Sequence, residues 1–278
     1  MIEELRFCFN IDASNDMFFM NKTQCLPLTR SDAICTGSNK REQFNAITAF
    51  IDGSNVYGSD EETARRLRTK VGGEMRSNGI GPTLPTRKEC GFGSNLPEEP
   101  EDLVAGDVRA IEQPGLASMH SLFLNEHNRI ATLLKEKNQN FSDEEIYQIV
   151  RKVIGAELQN IVYSEFLPVV LGSEAVAKFN LKLPELESGE TVYDPAVNPT
   201  VANEFATVAF RFGHSLIPNQ ILPDLSPIRT HSISCPMKDN FFKFEEFILG
   251  SDIHIWKSLE QYGTWYNKSR KSRNGCLY

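Results

Sequence analysis

Three clusters of side chains in this sequence are spaced for chemistry. In FATVAFRFGHSLI, residues 205–217, His214 follows Arg211 by three positions, with Gly213 between them. At about 100° per residue, Phe205, Val208, Ala209, Phe212 and Leu216 share one helical face, while His214 lies on a second face with Phe210 and Ile217. A helix apolar on two sides is expected to be buried between two things, one of which need not be protein. Glycine costs a helix about 1 kcal/mol against alanine, so Gly213 hints that something presses close to the backbone, and a flat ligand would fit. The alternative is a core histidine hydrogen-bonded to protein. In the second cluster, AGDVRAIEQPG, Arg109 and Glu112 stand three apart and share a face in one turn of helix that Pro114 is expected to end. The alternative there is a solvated surface ion pair. In the third, TAFIDGS, Thr48, Phe50, Asp52 and Ser54 alternate. They offer a hydroxyl, a backbone carbonyl, a carboxylate and a second hydroxyl, the oxygen-only set that calcium prefers. Ordinary turn chemistry before Gly53 is the alternative.

The elements that must hold these clusters are mostly helical. Residues 1–41 read as loop, rich in Asn, Asp, Ser and Thr and stapled by cysteines rather than patterned for helix or strand. A helix is predicted from Asp60 to Arg68, and the Gly-, Pro- and charge-rich residues 69–104 read as a long surface excursion. The two longest helices follow. The first spans GLASMHSLFLNEHNRIATLLKEKN, with apolar residues at Met119, Leu122, Phe123, Ile130, Leu133 and Leu134. The second opens on a capping box, Ser142 and Glu145, and is expected to stop at Pro168 and Gly172. A polar stretch, residues 173–200, then leads to the His214 helix. Strands are scarce, so the class is mainly α.

Composition excludes several functions. The chain has 278 residues, 40% hydrophobic and 24% charged, an ordinary globular balance. A formal net charge of -8 argues against a nucleic-acid partner. No apolar run approaches the roughly 18 residues of a membrane span, and MIEELRFCFN is not a signal peptide. Six widely spaced cysteines, Cys8, Cys25, Cys35, Cys90, Cys235 and Cys276, nonetheless read as a disulfide framework. Sequons at Asn21, Asn140 and Asn267 point the same way, to a secreted protein whose natural start lies upstream of Met1.

The three clusters, in this order, resemble those of the animal haem peroxidases. The matching stretches are NAITAFIDGSNVYGS, AGDVRAIEQPGLASMHSLFLNEHNRIATLL, YQIVRKVIGAELQNIVYSEFLPVVLG and FATVAFRFGHSLI, and CLPLTRSDAICTGSNKREQFNAIT fits the family's cysteine-bearing segment. The resemblance implies a mainly α peroxidase fold with haem between buried helices, few short strands and long surface loops. Residues 1–258 would form a partial peroxidase domain and residues 259–278 a divergent basic tail.

The resemblance also implies roles. His214 matches the proximal ligand of the haem iron and Arg211 the arginine that pairs with a haem propionate. Arg109 matches the distal arginine, suited to stabilise negative charge on the departing peroxide oxygen. Glu112 matches a carboxylate that forms an ester to haem b in many members, and Gln113 stands where one member has a methionine bonded to the haem. Thr48, Phe50, Asp52 and Ser54 match the calcium loop. The implied activity is reduction of hydrogen peroxide with oxidation of a halide, thiocyanate or phenolic donor. The family's distal histidine lies in a motif before the first residue of this chain, and His120, His127, His231 and His254 do not replace it. The competing readings are a non-catalytic peroxidase-like binding or adhesion module, an inactive truncated product, and a plain helical interaction protein.

Overall fold

A computed structural model describes residues 8–17, 25–29, 31, 33–34, 42–78, 83–92, 103–184, 193–217, 220–221 and 235–236. They divide into two units, Met1–Ala46 with Thr200–Phe212, and Ile47–Pro199 with Gly213–Tyr278. The first unit corrects the expectation of an unpatterned amino-terminal loop. β1 (Cys8–Asp12) pairs antiparallel with β2 (Cys25–Thr29), Cys8 opposite Thr29 and Asp12 opposite Cys25. β3 (Ala33–Ile34) pairs with β4 (Glu42–Gln43). Every strand in such ribbons is an edge, where Pro27 in β2 is tolerated. A two-stranded ribbon also needs no long alternation of apolar residues, so the usual strand signal is absent.

The second unit is helical. Beyond the turn helix α1 (Ser54–Tyr57), α2 (Glu61–Arg66) begins where the Asp60 carboxylate accepts from the Thr63 N–H at 2.8 Å. The two longest helices are α3 (Pro114–Lys137) and α4 (Asp143–Ile161), as expected. At the start of α4 the Ser142 hydroxyl accepts from the Glu145 N–H at 3.3 Å, and Glu145 accepts from the Ser142 N–H at 2.8 Å, completing the capping box. α4 does not stop at Pro168. It runs through a π-helical segment, Val162–Phe166, into α5 (Leu167–Lys178), with Pro168 in the first turn of α5. The wider π turn accommodates a residue that lacks an N–H and would clash with the preceding turn. The break falls at Gly172, whose φ is 80°.

Phe123, Ile130 and Leu134 of α3 pack partly buried against the core, but the most deeply buried positions are smaller or polar. Ala117, His120, Ser121, Leu124, His127 and Ala131 are buried, at helical spacing, whereas Met119 and Leu133 are exposed. Small residues let a neighbour approach, and Ile146, Tyr147, Val150 and Ile154 of α4 complete the core. Residues 69–104 are also corrected. Met75, Leu84, Cys90 and Leu103 are buried in the same core, so the described parts, residues 69–78, 83–92 and 103–104, pack inward and are not a surface excursion. Cys90 is a free thiol that burial pushes up to about 11, so the disulfide framework does not extend to it here. Cys35 and Cys276, the sequons at Asn21 and Asn267, His231, His254 and the basic tail 259–278 lie outside the described residues.

At the centre of this core sits a fully polar contact. Tyr57 and His127 are both 0% exposed, and their hydroxyl and Nδ1 are 2.8 Å apart. His127 Nε2 lies 2.8 Å from the Gly73 carbonyl, which can only accept. Nε2 therefore carries the proton, Nδ1 is bare, and the Tyr57 hydroxyl donates to it. Gly73, at φ 76°, has no room for a side chain, since a Cβ would lie 2.5 Å from Ile146 Cγ2. Burial pulls His127 down to about 4. Its ordinary value is about 6.5, so the unfolded chain binds a proton that the folded chain refuses between these values. Stability is then fully present above pH 6.5 and falls as the pH drops toward 4, by roughly 3 kcal/mol. Urea melts at several pH values should show this slope, and His127→Gln should flatten it relative to the unaltered chain.

Candidate functional site

Arg109 lies in a single 3-10 turn, Val108–Ile111, immediately before α3. The turn is not closed by Pro114, which instead occupies the first turn of α3, where its missing N–H costs nothing. Nor does Arg109 pair with Glu112. Its Nε and Nη2 donate to the two oxygens of Asp107, at 2.9 and 2.7 Å, and its backbone N–H donates to Asp107 Oδ1 at 2.8 Å. Asp107 thus caps the turn and clamps the guanidinium in a bidentate fork. The clamp holds the Asp107 carboxyl below the usual carboxylate range and raises Arg109. The Asp107 side chain is 11% exposed and that of Arg109 63%, so a fixed base presents a cation outward. The Glu112 N–H donates to the Arg109 carbonyl at 3.0 Å, but its carboxylate bears on Arg109 only through charge and has no hydrogen-bond partner among the described residues.

The backbone behind this fork is fixed by close approach. The Asp107 N–H donates to the Asn55 carbonyl at 3.1 Å, and a Cβ on Gly106 would lie 2.7 Å from Tyr57 N. His120 of α3 lies in the same electrostatic neighbourhood and senses both Asp107 and Arg109. Its Nδ1 donates to the Leu116 carbonyl at 2.7 Å, and its buried Nε2 has no partner among the described residues. Burial lowers its pKa.

Three of the four oxygen-bearing residues of TAFIDGS converge. The Thr48 hydroxyl donates to Asp52 Oδ1 at 2.9 Å and lies 3.0 Å from the Ser54 hydroxyl, while the Ser54 N–H donates to Asp52 Oδ1 at 2.9 Å. Phe50 sits on the same loop with its ring 58% exposed. α4 positions the loop: Gln159 Nε2 donates to the Ile51 carbonyl at 2.7 Å, and Gly155 leaves the Asp52 backbone in ordinary contact. Two hydroxyls and a carboxylate gathered this closely fit a hard cation, with Asp52 as the single formal charge. Among the described residues no group of three or more His, Cys, Asp or Glu is placed to hold a metal ion.

The expected helix over residues 205–217 is two short pieces, α6 (Asn203–Thr207) and a 3-10 segment, Ala209–Leu216. Asn203 Nδ2 anchors α6 to the Gln43 and Glu42 side chains of its own unit. The predicted core-facing stripe is not buried. Val208 is 72% exposed and Leu216 71%, and Phe205, Phe210 and Phe212 are also exposed. A change from α to 3-10 at Val208 rotates successive side chains by about 120° rather than 100°, so the stripe does not persist along one face. Arg211 belongs to the first unit, where its Nε donates to the Ala206 carbonyl at 3.2 Å. His214 belongs to the second, and its imidazole has no hydrogen-bond partner among the described residues. A Cβ built on Gly213 meets nothing within 4 Å.

The donor chemistry fits a haem. The exposed His214 imidazole could supply a nitrogen ligand to iron, and the clamped Arg109 guanidinium and the Glu112 carboxylate could meet the polar groups of haem or peroxide. The family model for animal haem peroxidase matches residues 2–264. The chain belongs to the animal haem peroxidase family. Among its relatives, the peroxidasin homolog pxn-2 of Caenorhabditis elegans is 38% identical over 87% of this chain and 20% of its own length. Human myeloperoxidase is 41% identical over 73% of this chain and 28% of its own length. Human thyroid peroxidase is 37% identical over 76% and 24%. This peroxidase-family chain therefore spans less than a third of the curated relatives it matches. Peroxidase A of Dictyostelium discoideum superposes with a TM-score of 0.67 at 28% identity, covering 89% of this chain and 49% of that one. A fatty acid alpha-dioxygenase of Arabidopsis thaliana, at 20% identity, TM-score 0.64 and coverage of 89% and 41%, shares the fold. The mainly α class agrees with the peroxidase A structure, and no described helix is long and apolar enough to cross a membrane.

Asp107 is absent from the sequence reading of this cluster. Its signal is local, an aspartate two positions before the arginine at the start of a turn, whereas α-helical spacing directs Arg109 toward Glu112.

Proposed function

We propose that this chain carries the haem-binding part of a peroxidase that reduces hydrogen peroxide and oxidises a small donor, a halide, thiocyanate or a phenol. The observation that carries the reading is the Asp107–Arg109 fork, which holds a cation rigidly at the start of a buried helix. Haem b, when bound, supplies the iron centre at which peroxide is reduced. His214 would hold the iron from one side, Arg211 would pair with a propionate, and Glu112 would be the carboxylate available for an ester link. Arg109 would hold negative charge on the departing peroxide oxygen without having to reorganise, because Asp107 already fixes its plane. Thr48, Phe50, Asp52 and Ser54 would hold calcium, which ties the loop before α1 to the α4 face. In this reading residues 1–258 form a partial peroxidase domain with 259–278 as a basic tail. The protein is secreted, with exposed Asn140 glycosylated and cysteines other than Cys90 forming disulfides.

The test is titration of the chain with haemin, followed by absorption. The expected result is near-stoichiometric uptake with a Soret band, and a loss of affinity of at least about 100-fold in His214→Ala, the order of a removed direct ligand contact. Equal uptake by both proteins would remove His214 as the ligand. No uptake by a folded chain would overturn the haem reading and leave a non-catalytic member of the family.

A further inference from the structure

The Tyr57–His127 contact has features that a structural hydrogen bond does not require. Oxidising a phenol by one electron makes its proton strongly acidic, so a tyrosine gives up an electron readily only where a base already accepts its hydrogen bond. Tyr57 meets that condition through the bare Nδ1 of His127 at 2.8 Å. The base is held in the accepting tautomer because Nε2 is committed to the Gly73 carbonyl. Neither residue is exposed, so water can neither take the proton nor reach the ring. Tyr147 packs edge-on at 5.9 Å, and the Arg151 guanidinium lies over the Tyr57 ring at 5.3 Å. Tyr147 is an internal contrast, since the group its buried hydroxyl senses is the Arg151 guanidinium, a cation and not a base.

The position of the pair also matters. The backbone of Tyr57 abuts Gly106, and Gly106 leads directly into the Asp107–Arg109 fork. The pair therefore belongs to the same packed unit as Arg109.

We propose that Tyr57 and His127 form a proton-coupled redox site, in which Tyr57 is reversibly oxidised to a neutral phenoxyl radical. One electron leaves the ring for a one-electron oxidant, and the hydroxyl proton moves along the existing hydrogen bond to His127 Nδ1. The products are a phenoxyl radical and an imidazolium that keeps its bond to Gly73. When a donor returns the electron, the proton returns to the phenolic oxygen. The identity of the oxidant as the peroxide-oxidised haem rests on the proposed function. The site itself does not.

The experiment uses the full chain without haem, oxidised by photogenerated tris-bipyridine ruthenium(III) and followed by transient absorption and freeze-quenched electron paramagnetic resonance. Of the seven tyrosines, a shielded one should give a slowly decaying radical distinct from the short-lived surface population. That slow component is expected to vanish in Tyr57→Phe and to persist in Tyr147→Phe. In His127→Gln, whose amide can still accept from Tyr57 and donate to Gly73 but is not a base, its formation should slow by roughly 100-fold. Should Tyr57→Phe fail to fold, high-field resonance of the unaltered chain serves instead, where a hydrogen bond to the radical oxygen lowers its largest g-value. A slow radical that survives Tyr57→Phe, formation in His127→Gln at the unaltered rate, or a radical without that hydrogen bond would each overturn the proposal. A chain that forms the Tyr57 radical yet binds no haem keeps this site and overturns only the haem reading.

Discussion

In the haem-loaded protein, Arg109→Leu is expected to slow the reaction with hydrogen peroxide by roughly 10²- to 10³-fold, the usual cost of removing one preorganised donor to a developing oxyanion. The expectation comes from the way the cation is held. A free arginine on a loop would have to be ordered during the reaction, whereas Arg109 already has three of its N–H groups satisfied by Asp107. Leucine keeps the bulk and removes the charge. Arg109→Lys keeps the charge but not the fork, because an ammonium cannot be gripped by both carboxylate oxygens and still face outward; it should recover only part of the rate. Asp107→Ala should slow the reaction by about 10-fold by unclamping Arg109. Because Asp107 would act only through Arg109, its removal in the Arg109→Leu background should cost no further rate. Stopped-flow absorption after mixing with peroxide reads all four proteins. A peroxide rate unchanged in Arg109→Leu would mean that another group stabilises the departing oxygen.

Gly106→Ala is expected to be among the most destabilising single changes in the second unit, at about 3 kcal/mol or more. Glycine is needed here for contact and not for an unusual backbone angle. A methyl at this position would lie inside the contact distance of Gly58 N and Ser54 O, and 2.7 Å from Tyr57 N. All three obstacles are backbone atoms, which cannot rotate aside as a side-chain end can. Relief would require the residue 105–107 segment to withdraw from α1, breaking the Asp107 N–H bond to Asn55. Thermal melts should therefore show a fall of roughly 10 °C in Tm, and the variant that remains folded should share the slowed peroxide reaction of Asp107→Ala. An unchanged Tm would show that this segment and α1 are not packed as described.

Much of the local structure was legible in the residues. The capping box at Ser142 and Glu145, the start of α2 at Asp60 and the two long helices depend on partners within four positions, so the chain declares them before it folds. The family motifs around Thr48–Ser54, Arg109–Glu112 and Arg211–His214 are legible for the same reason, as short runs in a particular order. Misreadings began where one local geometry was taken for another. The turn at Arg109 and the segment before His214 are 3-10 rather than α. That small change in rotation per residue redirects Arg109 to Asp107 and dissolves the apolar stripe expected over residues 205–217. Pro168, which reads as a stop, is absorbed by a π turn.

The amino-acid sequence by itself determined the family, the mainly α class, the helix starts and the residues on which the proposed haem and calcium sites draw. Tertiary structure alone decided which of the polar groups are buried and which are committed to one another. Tyr57 meets His127 across 70 residues, and His127 meets Gly73 across 54. Residues 75, 84, 90 and 103 enter the core although their surroundings are rich in Gly, Pro and charge. Burial is a property of what packs against a residue, and the packing partner is distant in sequence. A polar side chain does not reveal, from its own neighbours along the chain, whether it will face water or a single partner from which water is excluded.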